Sequence, residues 1–247
     1  MTKLACSAHT RIAAPVVCIA LMSGVSNAAT IIWDDGYTTN NWSVGANWTG
    51  TPDNTVPGSG DTAEFAQSAS GSNQATLDSN QTINGLSFNG DTGNFTITDS
   101  GTNTLTLGNG GITTGGTGNT FTIGASELLR TTNTHWTAGT GDTLVINSSV
   151  TSNGGFDNLT LDGAGTIEFT GGMDITSDTV VADGVMIANG ATFDNRGIFT
   201  VQDGAEFRVT GNAALKRNGA EGFTAIIEGG GLVTLETDSS RVDTWTM

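Results

Sequence analysis

Carboxylates are the most numerous side chains in this sequence that could perform acid–base chemistry. Two carboxyl groups that face each other roughly 5–9.5 Å apart can hydrolyse a glycosidic bond. Spacing along the chain does not establish such a distance, so these pairs remain candidates only. The pairs are Asp34 and Asp35, Asp61 and Glu64, Asp162 and Glu168, and Asp174 and Asp178. The basic side chains that a polysaccharide lyase could use are Arg130, Arg196, Arg208, Lys216, Arg217 and Arg241.

Metal chemistry requires ligand clusters that the sequence does not offer. The Asp-Gly pairs at Asp162, Asp183 and Asp203 could bind calcium, but turn formation explains them and is favoured. Neither the glycine-rich calcium repeat nor an Asp-x-Asp-x-Asp-Gly loop occurs. His135 is the single histidine after residue 28, whereas a zinc site needs several ligands. We therefore predict no catalytic residue, no metal site and no cofactor.

Three tryptophans are the candidates for ligand binding. Exposed rings of Trp33, Trp42 and Trp48 could stack on the face of a sugar. Indole rings are usually buried, so packing within an N-terminal cap is the favoured interpretation. The two interpretations differ in whether the rings are exposed on one flat surface.

A short apolar–polar–apolar motif recurs along the chain and predicts the elements that position these residues. Successive strand residues point to opposite faces, so each motif buries two apolar side chains and exposes one polar side chain. Stacked copies bury a continuous core, which predicts an all-β, right-handed parallel β-helix or β-solenoid. The clearest copies are Leu86-Ser87-Phe88, Phe95-Thr96-Ile97, Leu105-Thr106-Leu107, Phe121-Thr122-Ile123, Leu144-Val145-Ile146, Leu159-Thr160-Leu161 and Ile167-Glu168-Phe169.

Asn-Gly and Asp-Gly pairs between these motifs predict turns with a positive φ. Such pairs also suit antiparallel hairpins, so a sandwich or meander stays open as an alternative. The pairs begin at Asn89, Asn109, Asn153, Asp162, Asp183, Asn189, Asp203 and Asn218.

Two segments of the second half resemble each other and extend the repeats. Residues 185–193 and 198–207 each place a strand before Asn/Asp-Gly-Ala and a phenylalanine, which suggests one turn of the coil seen twice. Residues 213–217 hint at a short helical turn.

Threonine recurs at the polar positions of the motifs and could form a flat ladder, as in some ice-binding solenoids. The irregular spacing of the motifs weakens this interpretation, and threonine suits strand surfaces in general. The ladder would contain Thr96, Thr98, Thr104, Thr106, Thr120 and Thr122.

The first 28 residues have the features of a secretory signal. Lys3 and Arg11 precede an apolar stretch over residues 12–22, and small residues lead to a cleavage site between Ala28 and Ala29. Both cysteines lie in this segment.

The 247-residue chain has 24 acidic and eight basic residues, and loss of Lys3 and Arg11 leaves a net charge of −18. Such a surface repels nucleic acid, and no transmembrane segment is expected in the mature chain.

The N-terminal tryptophan segment carries a resemblance to a known family. Together with the first strand motif, it resembles the opening of bacterial autotransporter-associated β-strand repeat proteins, many of which end in a PEP-CTERM sorting signal. The resemblance covers about residues 30–170. It implies an exported, surface-displayed or matrix-associated β-solenoid without a defined enzymatic activity. The residues that carry it are Trp33, Asn41-Trp42-Ser43, Asn47-Trp48-Thr49-Gly50, Pro57-Gly58, residues 60–65, Leu77-Asp78 and residues 83–88.

These observations predict three segments and one leading function. Residues 1–28 form the signal, 29–66 an N-terminal capping module, and 67–247 the solenoid repeats. No sorting motif follows Leu235, so we expect either a fragment or a released protein.

The leading interpretation is an exported, non-enzymatic, adhesin-like or extracellular-matrix protein at the bacterial surface. The alternative is a polysaccharide-binding module or a polysaccharide-acting enzyme, with polysaccharide or surface proteins as partners.

Overall fold

The computed structural model describes residues 28–36, 38–66, 74–89, 93–155, 158–217, 220–221 and 225–236. Residues 1–27 of the predicted signal segment, with both cysteines, and Arg241 lie outside these residues. The described chain is built from short strands, with one three-residue 3₁₀ helix at Gly45–Asn47.

The strands are numbered in chain order. The first eight are β1 Thr30–Trp33, β2 Trp48–Thr49, β3 Thr62–Phe65, β4 Gln74–Leu77, β5 Gln81–Asn89, β6 Phe95–Asp99, β7 Thr104–Gly115 and β8 Thr120–Ile123. The next eight are β9 Glu127–Arg130, β10 Thr134–Thr137, β11 Thr143–Ile146, β12 Ser149–Ser152, β13 Leu159–Asp162, β14 Thr166–Phe169, β15 Met173–Ile175 and β16 Thr179–Val181. The last eight are β17 Val185–Asn189, β18 Thr192–Asn195, β19 Phe199–Val201, β20 Glu206–Thr210, β21 Ala214–Arg217, β22 Ala220–Glu221, β23 Ala225–Ile227 and β24 Leu232–Glu236.

The chain coils into a parallel β-solenoid of about seven turns, and each turn contributes strands to three faces. Face 1 is a separate sheet of β4, β6, β8, β11, β14, β17, β20 and β24. Face 2 contains the first part of β5 and β7, then β9, β12, β15, β18 and β21. Face 3 contains β1, β3, the second part of β5 and β7, then β10, β13, β16, β19 and β23.

Faces 2 and 3 belong to one sheet because β5 and β7 continue around the corner between them. Strand β7 pairs with β9 through residues 104–107 and with β10 through residues 112–113. Gly111 has a φ of +63° at this bend, and a Cβ there would collide with the carbonyl oxygen of His135 in the next turn. Glycine is therefore required at this corner.

The interior is a stack of apolar side chains that the alternating motif directs inward. Along face 1, Phe121 pairs in register with Phe95 on one side and Leu144 on the other, and all three are buried. The rings of Phe65, Phe88 and Phe121 follow one another through the core at centroid distances of 5.3 Å and 5.0 Å. Each turn thus buries apolar surface only against its neighbours, as solenoid packing requires.

The N-terminal tryptophan segment covers the first turn. Strand β1 extends face 3 by parallel pairing with β3, and the backbone N–H of Trp42 donates to the carbonyl oxygen of Thr76 on the edge of face 1. The ring of Trp48 lies 4.9 Å from that of Trp33 and 4.8 Å from that of Trp42. Backbone of the N-terminal tryptophan segment therefore forms hydrogen bonds with the outer edges of β3 and β4, which would otherwise be open.

The predicted β-solenoid is confirmed, and the sandwich or meander alternative is wrong. Strand pairs are parallel except for the short pairs β1–β2 and β21–β22 among the described strands. Positive φ angles confirm the turn glycines at Gly154, Gly163, Gly184, Gly190 and Gly204.

Three local predictions are corrected. Asn109 and Gly110 lie within β7 and not in a turn, because the corner there is built into a continuous strand. Residues 214–217 form β21 and not a helical turn. The resemblance between residues 185–193 and 198–207 does not mark successive turns: Met186 stacks on Phe207, 21 residues later. The two segments begin on different faces, so their similarity reflects only a shared strand-turn-strand pattern in the sequence.

The stacked core yields a first prediction. Phe121→Ala should lower the free energy of unfolding by about 3–5 kcal/mol, because it leaves a cavity between two turns. Thr122→Ala, at the adjacent outward position, should change it by less than about 0.5 kcal/mol. Urea denaturation followed by circular dichroism measures both, and equal losses would contradict the inward and outward assignment.

Candidate functional site

The carboxylate and amide side chains at the corners bind backbone groups of neighbouring turns. The Oδ1 atom of Asp178 accepts from the N–H of Ile198 at 2.7 Å, and Oδ1 of Asp203 accepts from the N–H of Gly230 at 2.6 Å. Asparagines act in the same way: the side-chain oxygen of Asn94 accepts from the backbone N–H of Thr120 at 2.8 Å. These bonds satisfy backbone donors that the strands leave without a ladder partner at the corners.

Asp99 is the most heavily bonded of these corner carboxylates. Its oxygens accept from the backbone N–H groups of Gly101 and Asn103 within the corner. They also accept from the N–H and hydroxyl of Ser126 in the next turn. Burial alone would raise the pKa of Asp99, but the bonds from Ser126, Gly101 and Asn103 outweigh it and lower the pKa from 3.8 to about 2.

Asp142 plays the same role, and its own side chain is buried. Its Oδ2 atom accepts from the hydroxyl of Thr114 and the N–H of Gly116, both at 3.0 Å. Its Oδ1 atom accepts from the N–H of Asn119 at 3.1 Å. The buried side chain thus accepts hydrogen bonds from three donors, as burial of a polar group requires.

The structure separates the residues of the predicted carboxylate pair Asp162 and Glu168. Asp162 lies at the end of β13 on face 3, whereas Glu168 lies on β14 in face 1 and accepts from Asn189 at 2.6 Å. These two carboxyl groups therefore do not line one surface.

Members of the other three pairs accept backbone hydrogen bonds or form an ion pair. Asp174 forms an ion pair with Arg196 at 2.9 Å, while Asp178 accepts a backbone bond. Asp61 accepts from the N–H groups of Ala29 and Gly58, while Glu64 lies outward on β3. Asp34 accepts from the N–H of Gly36 at 3.0 Å, and Asp35 follows it with a φ of +51°. In each pair, the bonding partners fit roles in corners and ladders.

Three of the candidate bases, Arg130, Arg196 and Arg208, are buried or engaged in structural contacts. Arg130 is fully buried at the end of β9, where its Nη1 atom donates to the hydroxyl of Thr134 at 3.1 Å. The alternation of β9 places Arg130 on the same inward side as Leu128, and this signal could have been read from the sequence. Arg208 forms two bonds to Glu206, at 2.9 Å and 3.1 Å. Lys216 and Arg217 lie on β21.

His135 lies outward on face 3 and bonds to Asp162 of the next turn. Its Nε2 atom is 2.9 Å from Oδ2 of Asp162, and both side chains are substantially exposed. Asp162 also accepts from the N–H of Gly163 at 2.7 Å. An exposed pair of this kind contributes little stability.

The three candidate tryptophans are buried. Trp33 is 1% exposed, and Trp42 and Trp48 are fully buried. The indole N–H of Trp48 donates to the carbonyl oxygen of Trp42 at 2.8 Å. The rings therefore pack the cap as the favoured interpretation states, and in this arrangement none offers a face to a sugar. A binding role for these residues stays a prediction without an exposed ring to support it.

The predicted threonine ladder is split between two faces. Thr96, Thr98, Thr120 and Thr122 lie outward on face 1. Thr104 and Thr106 lie on face 2, and the hydroxyl of Thr104 donates to Glu127 there. The placement of Thr104 and Thr106 in the same ladder is therefore wrong.

Threonines on face 1 are aligned along the coil axis despite the irregular sequence spacing. Thr96 pairs with Thr122, and Thr120, Thr143 and Thr166 follow one another in register. Stacked residues of face 1 are separated by 19 to 26 positions in the sequence, because the corners absorb the differences in length. The strands themselves therefore form a regular array.

The first four strands of face 1 carry no charged side chain at their outward positions. We call this surface the threonine face, and it ends before Glu168 on β14. Charges lie further along the same sheet, where the bond from Arg208 and a weaker one from Thr234 lower the pKa of Glu206. The outward residues of the threonine face are Gln74, Thr76, Thr96, Thr98, Thr120, Thr122, Thr143 and Val145.

Within the described ranges, no group of three or more His, Cys, Asp or Glu residues could hold a metal ion. The same part of the chain has no helix that is long and apolar enough to cross a membrane. Comparison with known proteins adds no relative: no family model, curated protein or solved structure matches this chain.

The corner network yields a second prediction, concerning pH. Because the pKa of Asp99 is lower in the folded chain, its stabilising effect is present above about pH 4 and is lost as the pH falls towards 2. Asp99→Asn should lower the free energy of unfolding at pH 7 by about 1–3 kcal/mol and remove that part of the acid dependence.

Asp183→Asn is the matched control, since its carboxylate accepts a local bond from Gly184. Chemical denaturation of the three proteins between pH 2 and pH 7 makes the comparison. The same acid dependence in wild type and in Asp99→Asn would contradict the inter-turn role of Asp99.

Proposed function

We propose that this chain is an exported, non-enzymatic structural protein that displays a rigid β-solenoid at the bacterial surface or in the extracellular matrix. The observation that carries the proposal is the use of carboxylates to join one turn of the coil to the next. Asp99, Asp142, Asp178 and Asp203 hold corners, and the tryptophans fill the cap.

The dimensions and charge of the coil suit display. Seven inter-strand spacings of about 4.8 Å give a stack roughly 34 Å long. The excess of 24 acidic over eight basic residues favours solubility and opposes binding to nucleic acid. The resemblance to autotransporter-associated repeat proteins and the signal-like first 28 residues support export. Extracellular polysaccharide or surface proteins are the partners that this location would supply.

A third prediction concerns maturation and location. Expression of the full chain with a C-terminal epitope in a Gram-negative host should give a mature protein that begins at Ala29 and is accessible to added protease on intact cells. The variant Ala28→Gln should accumulate as precursor, because signal peptidase requires a small residue before the cut. Wild-type protein that keeps residues 1–28 or stays in the cytosolic fraction would contradict export.

A further inference from the structure

The threonine face has no charged side chain at its outward positions, although the chain as a whole is strongly acidic. Its outward residues are six threonines, one glutamine and one valine. Corresponding positions on the other faces include charged residues, such as Glu127 on face 2 and Glu64 on face 3. A partner that binds the threonine face does not have to remove water from charged side chains, which would cost free energy.

The spacing of this surface is set by the backbone and held by the core. Strands of the face are about 4.8 Å apart, and alternate residues on one strand are roughly 6.7 Å apart. Two inward residues anchor each of β6, β8 and β11, among them Phe121 and Ile123. The outward side chains are thus fixed to a rigid two-dimensional grid.

The side chains on the grid are themselves preorganised. Threonine is branched at Cβ and strongly restricted about χ1. The hydroxyl groups of Thr76 and Thr98 are 3.3 Å apart, and Gln74 donates to the hydroxyl of Thr98 at 3.1 Å. Each hydroxyl can both donate and accept a hydrogen bond. Threonine stacks on threonine at Thr76–Thr98, Thr96–Thr122 and Thr120–Thr143, so the face offers methyl groups and hydroxyls at repeated backbone positions at little entropic cost.

We propose that the threonine face binds the surface of ice. Ice is an uncharged lattice of water molecules, each a donor and an acceptor, and it repeats in two dimensions as this face does. Charged groups hold their own hydration shells and would disturb such a lattice, so their exclusion from this one surface fits the proposal. Many weak, fixed contacts formed together can retain the protein on the lattice.

Two other occupants fit less well. Four strands about 13 Å long give an area of roughly 250 Å², whereas a stable complex buries about 800 Å² on each partner. A second copy of this chain would therefore not be held by the threonine face alone. A polysaccharide would lack a ring to stack on, because the outward positions of these strands contain no aromatic residue.

A fourth prediction tests this inference by thermal hysteresis and by inhibition of ice recrystallisation with the full chain. Wild type should hold the freezing point below the melting point and limit crystal growth. Thr122→Lys and Thr143→Lys should lose both effects, since each places a charge in the grid. Thr160→Lys carries the same change on face 3 and should keep them.

Urea denaturation of each variant separates loss of binding from loss of folding. Thr122→Ser provides a second, milder change that keeps the hydroxyl and removes the methyl group, and it should weaken both effects without an added charge. Absence of thermal hysteresis in wild type, or an equal loss in Thr160→Lys, would overturn the proposal. Binding of wild type to insoluble cellulose or chitin without any effect on ice would overturn it in favour of a polysaccharide. Neither result alters the measurement of export described above.

Discussion

Parallel stacking of one turn on the next, in register, is the constraint on which the rest of this structure depends. No turn can bury its own apolar side chains, so each must find its partners one turn away. Phe121 meets Phe95 and Leu144 only because the strands align residue for residue, and a shift of one position would exchange inward and outward side chains. Since the number of residues between stacked positions varies from 19 to 26, the corners must absorb every difference in length.

The corners also explain why an acidic chain can stack so closely. Asp99, Asp142 and Asp178 accept backbone N–H groups that lie beyond the ends of the strands, so the negative charges bind donors instead of facing one another. Asp178, one of the candidate acid–base residues, is among these corner carboxylates. The threonine face differs from the other two faces in having no charged side chain at the outward positions of its first four strands.

The repeating motif predicts the solenoid and many of its strands, because alternation and turn glycines are local signals. The buried tryptophans were predicted separately, from the usual burial of indole rings. The grouping of strands into three faces was not predicted, since it depends on corners such as Gly111 that act between turns. For the same reason the segments over 185–193 and 198–207 were misread as successive turns, although Met186 stacks on Phe207. The threonine face could not be recognised before the register was known, because Thr104 and Thr120 look alike in the sequence and lie on different faces.

Disulfide formation between stacked outward positions tests the register most directly. Cysteines placed at Thr143 and Thr166, which pair on neighbouring strands of face 1, would have Cα atoms about 5 Å apart, within the range that a disulfide spans. We predict that Thr143→Cys with Thr166→Cys cross-links in the folded protein under mild oxidation, in a background without Cys6 and Cys18. Thr143→Cys with Ile167→Cys, where one side chain points inward, should not cross-link. Equal cross-linking of both pairs, or of neither, would contradict the in-register parallel stack.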